Sequence, residues 1–199
     1  MCYKSPKILG KYTNLWYNKQ GKDHERRMEM PYITHYESPL GNIVLLSNGD
    51  ALTSLLLPSQ IDADFNPLSY IEKEDLHVFV LTKEYLDTYF KGEKPSVLPP
   101  IAFNATPFKE IVWGELLKIP YGEILTYGEL AKRVATVRGT TFMSARAVGH
   151  ALSKNPISII VPCHRVIGNK KRLVGYGGGL PIKRKLLQIE GHDLTNYKD

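Results

Sequence analysis

The sequence predicts an α+β chain: a small antiparallel sheet with one helix, followed by a helical region that carries the chemistry. Three observations point there. Strand-like stretches separated by tight-turn residues crowd into residues 32–57. Apolar residues at helical spacing dominate from Val78 onward. Between these patterns and the later helices, residues 91–100 hold Gly92, Pro95, Pro99 and Pro100, a linker composition that divides the chain into 31–100 and 101–199.

Residues 1–30 are polar, basic and aperiodic, and read as an extension outside the core. Met28 and Met30 stand just before the first strand, where translation could also begin. Tyr32 to Tyr36 alternates, and Ser38-Pro39-Leu40-Gly41 turns the chain. Residues 42–47 form a second strand, Asn48-Gly49 a hairpin signal and residues 51–57 a third strand, giving an antiparallel meander. A loop over 58–67 follows. Val78, Phe79, Thr82, Tyr85, Leu86, Tyr89 and Phe90 then mark a helix whose aromatic stripe reads as core. Nothing in 31–100 looks catalytic, and His35 and His77 lack the cysteines of a metal cluster.

Thr106-Pro107 opens the next helix, with proline suited to a first turn, and Phe108, Ile111, Val112, Leu116 and Ile119 form its apolar face. Thr126 with Glu129 is a capping box for a helix burying Leu130, Ala131 and Val134. After a turn through Arg138-Gly139, a third helix spans about 143–153. Ala145, Val148 and Leu152 are expected inside, with Arg146, Ala147, Gly149 and His150 outside. Two short helices joined this way make a helix-turn-helix candidate. Asn155-Pro156 ends the helix, the apolar run 157–161 reads as a buried strand, and Pro162 stops it and presents Cys163. A basic loop at 170–172, glycines at 177–179, and a helix from Pro181 to about Glu190 with Gly191 as its stop complete the chain.

Composition excludes several classes. No apolar run approaches the roughly 20 residues that span a bilayer, and no apolar segment follows Lys4, Lys7 and Lys11 as a signal peptide requires. The cysteines, Cys2 and Cys163, make no disulfide framework, so a reducing cytoplasm and a free thiol are expected. The net charge is +6, unevenly spread: residues 31–100 hold four Lys/Arg against ten Asp/Glu, and residues 101–199 hold fifteen against seven. A basic C-terminal half suggests a polyanionic partner, nucleic acid first, the alternative being a solvated basic surface.

A cysteine beside a histidine at the exit of a buried segment is a candidate nucleophile. Thiolate is the reactive form, and a neighbouring base raises its fraction. Adjacent residues on an extended chain point apart, so Cys163 and His164 meet only if the chain turns after Pro162 or a water joins them. Glu190 is the candidate third group that orients the imidazole. A glutamate in a helix's last turn opposes the macrodipole, a local misfit that hints at function. An inert buried Cys163, a solvated Glu190, Tyr127 as a core ring and Arg146 as a generic phosphate contact remain open alternatives. The glycines at 177–179 lack the lysine of a phosphate loop and suit close backbone approach to a flat substrate.

Pro162-Cys163-His164-Arg165-Val166, with Asn155-Pro156 before it and Gly175-Tyr176 and Glu190-Gly191-His192 after it, closely resembles the O6-alkylguanine-DNA alkyltransferases. Thr126-Tyr127-Gly128-Glu129-Leu130-Ala131 and Ala145-Arg146-Ala147-Val148-Gly149 extend the likeness, which covers about 104–193; residues 31–100 fit only in pattern. The resemblance implies a ribonuclease H-like N-terminal domain and a winged helix-turn-helix-like C-terminal domain. It implies a suicide repair reaction in which Cys163 accepts the alkyl group from guanine O6, with O4 of thymine a further candidate. His164 would act as base through a water, Glu190 would orient it, and Asn155 would brace the loop. Tyr127 would donate to guanine N3, and the carbonyls of Cys163 and Val166 would accept from the guanine amino group. Arg146 would enter the base stack, with Ala147 and Gly149 suited to the minor groove. Tyr176 would wall the pocket, with Lys183 supporting it.

No cofactor or metal is implied. The partner would be duplex DNA containing O6-alkylguanine, with no membrane, and the protein a monomer without DNA. Gly177 stands where many members carry a larger or hydroxylated residue, which suggests a roomier pocket, and the turn 135–143 is longer than in short members. The N-terminal zinc site of some members has no counterpart, and Cys2 reads as a solvated terminal residue. Two other functions compete: a lesion sensor that binds without repairing, and an unrelated Cys-His-Glu hydrolase.

Overall fold

Two side chains shape the first reversals of the chain. Ser38 Oγ donates to the Gly41 carbonyl at 2.6 Å and accepts from Leu40 N at 3.1 Å, joining β1 (Tyr32–Ser38) to β2 (Gly41–Ser47). Asn48 Oδ1 accepts from Asp50 N and Ala51 N, turning the chain into β3 (Leu52–Leu56). The computed structural model describes residues 30–198. The basic extension through residue 29, with Cys2 and Met28, lies outside the described residues.

The sheet is mixed rather than a pure meander. A two-residue strand, β4 (Ile71–Glu72), runs parallel to β1, giving the order β3-β2-β1-β4. So short an element leaves no periodic trace within a loop. Both faces of β2 are covered, which is why Ile43 to Leu46 is an unbroken apolar run rather than an alternation. Ile43 and Leu45 enter the main core, while Val44 and Leu46 join Ile33 in a smaller cluster with Phe65 and Tyr70. Helix α1 (His77–Phe90) buries Val78, Phe79, Thr82, Leu86 and Tyr89, the stripe expected from its spacing. After the proline-rich stretch, Leu52 N donates to Pro100 O and Ala102 N to Leu52 O, so the chain leaves the sheet along its β3 edge.

Three helices follow. In α2 (Pro107–Leu117), Trp113 Nε1 donates to Ala151 O at 2.9 Å. Strand β5 (Leu125–Thr126) leads into α3 (Tyr127–Val137), closed by the expected capping box: Thr126 Oγ1 accepts from Glu129 N, and Glu129 Oε2 accepts from Thr126 N at 2.7 Å. Helix α4 (Ala145–Ser153) buries Val148, Ala151 and Leu152. Ala145, expected inside, is exposed, because the helix begins at that residue and its buried face starts one turn later.

The largest departure lies at residues 157–161, expected as a strand. Only one point of pairing exists: Leu55 N donates to Pro156 O at 2.9 Å and Ser158 N to Leu55 O at 3.2 Å. The chain then curls, with Ile160 N bonded to Ser158 O and Val161 N to Ile157 O. Ile159 takes φ +69°, a conformation disfavoured for a β-branched residue. Ile157, Ile159 and Val161 are fully buried, and that burial holds the strained turn in place. The run is apolar because every side chain is covered, not because it forms a ladder.

Beyond the 163–165 turn, β6 (Val166–Ile167) pairs with β5 in parallel, and α5 (Leu180–Ile189) packs Leu186 and Leu187 inward. One continuous core runs from Ile43 to Leu186. Among the described residues no helix is long and apolar enough to cross a membrane.

Leu55 is both a fully buried side chain and the sole ladder partner of residues 156–158. Leu55→Ala is expected to cost ~2–5 kcal/mol in urea unfolding. It should also speed amide exchange at Ser158 more than at Leu45. Equal exchange at both amides would show that the sheet does not hold the turn.

Candidate active site

Asn155 organises the turn that carries the thiol. Its Oδ1 accepts from Ile157 N at 3.1 Å, and its Nδ2 donates to Val161 O at 2.8 Å and to Cys163 Sγ at 3.1 Å. These bonds replace the ladder a strand would have supplied. After Pro162 the chain makes one 3-10 turn, Cys163–Arg165. The turn sends His164 and Arg165 into the interior and leaves the sulfur at the floor of a cavity. That cavity is about 270 Å³, and its lining includes Tyr127, Gly149, Cys163, Gly175, Tyr176 and Gly177. Burial pushes the Cys163 thiol up; the Asn155 N–H and the Lys183 charge pull it down without reversing the shift.

His164 is fully buried. Its Nε2 lies 2.6 Å from Glu190 Oε1, which places the ring hydrogen on Nε2 and makes Nδ1 the basic nitrogen. Nδ1 is buried and has no hydrogen-bond partner. Burial lowers the His164 pKa against the pull of Glu190, so the ring is neutral at rest. Glu190 caps the C-terminus of α5. Burial alone would raise its pKa, but hydrogen bonds from His164 and Arg165, together with the Arg165 charge, outweigh that and hold the carboxyl well below the usual range. The macrodipole misfit is thus offset by side-chain donors.

Two members of this network were not among the candidate residues. Arg165 donates from Nε to Glu190 Oε2 at 2.8 Å, from Nη2 to Oε1 at 3.0 Å, and from Nη1 to Ile119 O at 2.7 Å. Tyr89, from the aromatic stripe of α1, donates to Glu190 Oε1 at 2.9 Å and sits 3.3 Å from His164 Nε2. The only signal for Tyr89 was its place on the buried face; its partners lie 75 and 101 positions away.

The other candidates divide by location. Tyr127 and Tyr176 line the cavity. The Tyr127 hydroxyl donates to Val174 O at 3.2 Å and Gly175 O at 3.3 Å, and burial with the nearby Cys163 pushes its pKa up to about 12. Burial likewise pushes the Tyr176 phenol well above its ordinary value. Val166 and Lys183 lie behind the cavity rather than in its lining. Lys183 Nζ donates to Val166 O at 2.6 Å, Val174 O at 3.0 Å and Gly175 O at 3.5 Å, and lies 6.0 Å from the centre of the Tyr127 ring. Burial lowers its pKa to about 8, against the attraction of Cys163.

Gly177 is exposed at the cavity wall, but the space a side chain there would need is already held. A Cβ would come within 3.0 Å of Gln60 Nε2, and Gln60 Oε1 is fixed by Ser158 Oγ at 2.8 Å. Gln60, from the segment after β3, is a further neighbour that the sequence did not mark. Arg146 and Ala147 lie on α4 outside the cavity, Arg146 exposed. Gly149 joins the two regions: a Cβ on it would stand 3.5 Å from the Tyr127 ring.

Glu190→Gln leaves Arg165 buried without a counter-charge and is expected to cost ~3–5 kcal/mol at pH 7 in urea unfolding. The folded-state pKa lies below the ~4.3 of a free glutamate, so the stabilisation is complete above that value and is lost as pH falls through the folded-state value. The stability gap between wild type and variant should therefore narrow as pH drops below ~4. A gap that holds constant down to acid unfolding would contradict the assignment.

The arrangement is a thiol with an adjacent hydrogen-bonded imidazole–carboxylate pair, set in a cavity beside an exposed basic helix. A family model described as 6-O-methylguanine DNA methyltransferase, DNA binding domain, matches residues 107–192. A second, described as the ribonuclease-like domain of the same proteins, matches residues 32–102. A Haemophilus influenzae protein named methylated-DNA–protein-cysteine methyltransferase is 40% identical over 160 residues, 80% of this chain and 86% of its own length. A Mycobacterium leprae protein of the same name is 41% identical over 165 residues, 83% of this chain and 95% of its own. The crystal structure of Mycobacterium tuberculosis OGT in complex with DNA superposes with a TM-score of 0.69 at 38% identity, covering 80% of this chain and 92% of that one. With both halves matched in order and relatives aligned along most of their own length, the chain belongs to the 6-O-methylguanine DNA methyltransferase family.

Proposed function

We propose that this protein repairs alkylated DNA by moving an alkyl group from O6 of guanine to Cys163, once per molecule. The observation that carries the reading is Cys163 at the floor of a cavity, braced by Asn155 and followed by a neutral His164 whose Nδ1 is free to accept a proton. In the reaction the Sγ–carbon bond forms as the carbon–O6 bond breaks. The thiol proton passes through a bridging water to His164 Nδ1, and Glu190 stabilises the imidazolium that results. Tyr127 donates to guanine N3 as negative charge grows on the departing base. The thioether is stable, so no step regenerates the thiol. A sensor that only binds lesions would have no use for the acceptor sulfur.

The partner is DNA, entered from the minor groove by α4, and the lesion is an O6-alkylguanine turned out of the stack. Arg146 enters the vacated stack, and Ala147 and Gly149 let the helix backbone come close. The carbonyls of Cys163 and Val166 accept from the guanine amino group. Each already accepts one bond, from Val166 N and from Lys183 Nζ, and a carbonyl oxygen has a second lone pair to offer. Residues 31–100 and 101–199 act as two domains packed around one shared core, and the protein is a monomer away from DNA.

Incubation with a duplex holding one O6-methylguanine should add one methyl mass to the peptide containing Cys163, stoichiometrically and without turnover. Cys163→Ala should bind the duplex and take up nothing; methyl transfer by that variant would exclude Cys163 as acceptor. Arg146→Ala should slow repair in duplex more than in single strands, by roughly tenfold or more if insertion offsets a few kcal/mol of unstacking. Equal slowing on both substrates would rule out insertion.

A further inference from the structure

The connection between α3 and α4 exposes an aromatic ring that the proposed reaction does not use. Phe142 is 77% exposed, second among the exposed large apolar residues of the described chain, and Val137 on the other side of the turn is 47% exposed. The backbone beneath the ring is tied down. Gly139 takes φ +65°, Thr140 N donates to Ala135 O at 2.9 Å, and Thr140 Oγ1 reaches Phe142 O at 3.3 Å. The next residue, Met143, packs against the main core. The ring is thus carried on a fixed stretch of chain four positions before Arg146.

Its surroundings select the partner. From Leu130 to Lys154 the sequence contains Lys132, Arg133, Arg138, Arg146 and Lys154 and no Asp or Glu. Lys132, Arg133, Arg138 and Arg146 are all exposed. A second protein surface or a lipid tail would gain little from a segment so rich in exposed cations, whereas a polyanion with flat apolar bases suits both features. The patch is also continuous with α4, within the segment that matches the family's DNA-binding model.

We propose that Phe142 is an apolar wedge that enters the DNA beside Arg146 and stacks on a base flanking the flipped nucleotide. The inference rests on the reading that α4 meets DNA. An aromatic wedge partly unstacks one base step and takes the place of the lost base–base contact, while the neighbouring cations bind phosphates. Arg146 would then hold open the gap left by the lesion, and Phe142 would fix the bend next to it. The longer turn of this chain would supply the reach.

The test measures binding to a fluorescein-labelled duplex at several salt concentrations, together with alkyl transfer from that duplex and from free O6-benzylguanine. Phe142→Ala should weaken duplex binding and slow duplex repair by about tenfold. It should leave transfer from the free base unchanged, since the ring lies outside the cavity. The salt dependence of binding should keep its slope, because an apolar stack releases no counterions, whereas Arg146→Ala should reduce that slope by about one. Phe142→Trp should restore binding, with indole fluorescence quenched on adding duplex. Wild-type duplex affinity in Phe142→Ala, or equal loss on duplex and free base, would overturn the wedge. So would concentration-dependent self-association of the wild type that Phe142→Ala abolishes. A wild-type protein that accepts alkyl from neither substrate would instead remove the repair reading itself.

Discussion

The Glu190 carboxylate is the point on which the site depends. It receives donors from three separate stretches of chain: Tyr89 on α1, Gly122 N in the turn before β5, and His164 and Arg165 after the thiol, while Glu190 itself ends α5. An isolated carboxylate in this position would take up a proton rather than stay charged. Arg165 supplies the balancing charge in a two-pronged geometry, and the remaining donors satisfy the other lone pairs. The pair is therefore close to neutral overall. That leaves His164 uncharged and fixes its tautomer, so the basic nitrogen is the one not engaged by the carboxylate.

This geometry gives the N-terminal half a part in the chemistry that its composition does not announce. Leu55 holds the segment leading to the thiol, Gln60 backs the cavity wall at Gly177, and Tyr89 touches both members of the imidazole–carboxylate pair. None of the three touches the reacting sulfur. Their contribution is to fix positions, and it comes from elements that fold around a shared core with the C-terminal helices.

The strands β1 to β3, the α1 stripe, the Thr126–Glu129 cap and the Cys163-His164 pair were legible because each is written in local spacing or in a contiguous motif, and Glu190, 26 positions from His164, was legible through its misfit at a helix C-terminus. What was not legible depends on partners far away in the chain. Tyr89 looks like any buried aromatic until Glu190 is placed beside it. Arg165 sits inside the motif yet says nothing of its carboxylate. Residues 157–161 show the limit of apolar runs as evidence: burial on all sides gives the same composition whether the backbone pairs as a strand or curls, and the side chain of Asn155 decided for the curl. The exposure of Ala145 followed from where α4 starts, which periodicity does not specify to the residue.

Tyr127 and Lys183 share the same two carbonyls, those of Val174 and Gly175. The phenol divides one proton between two long contacts, a weak engagement that is easily given up. In the proposed reaction, a Tyr127 hydroxyl turned toward a guest would leave neither carbonyl orphaned, because the Lys183 ammonium donates to both. The acceptors that the donor would vacate are thus already underwritten by a cation lying behind the cavity.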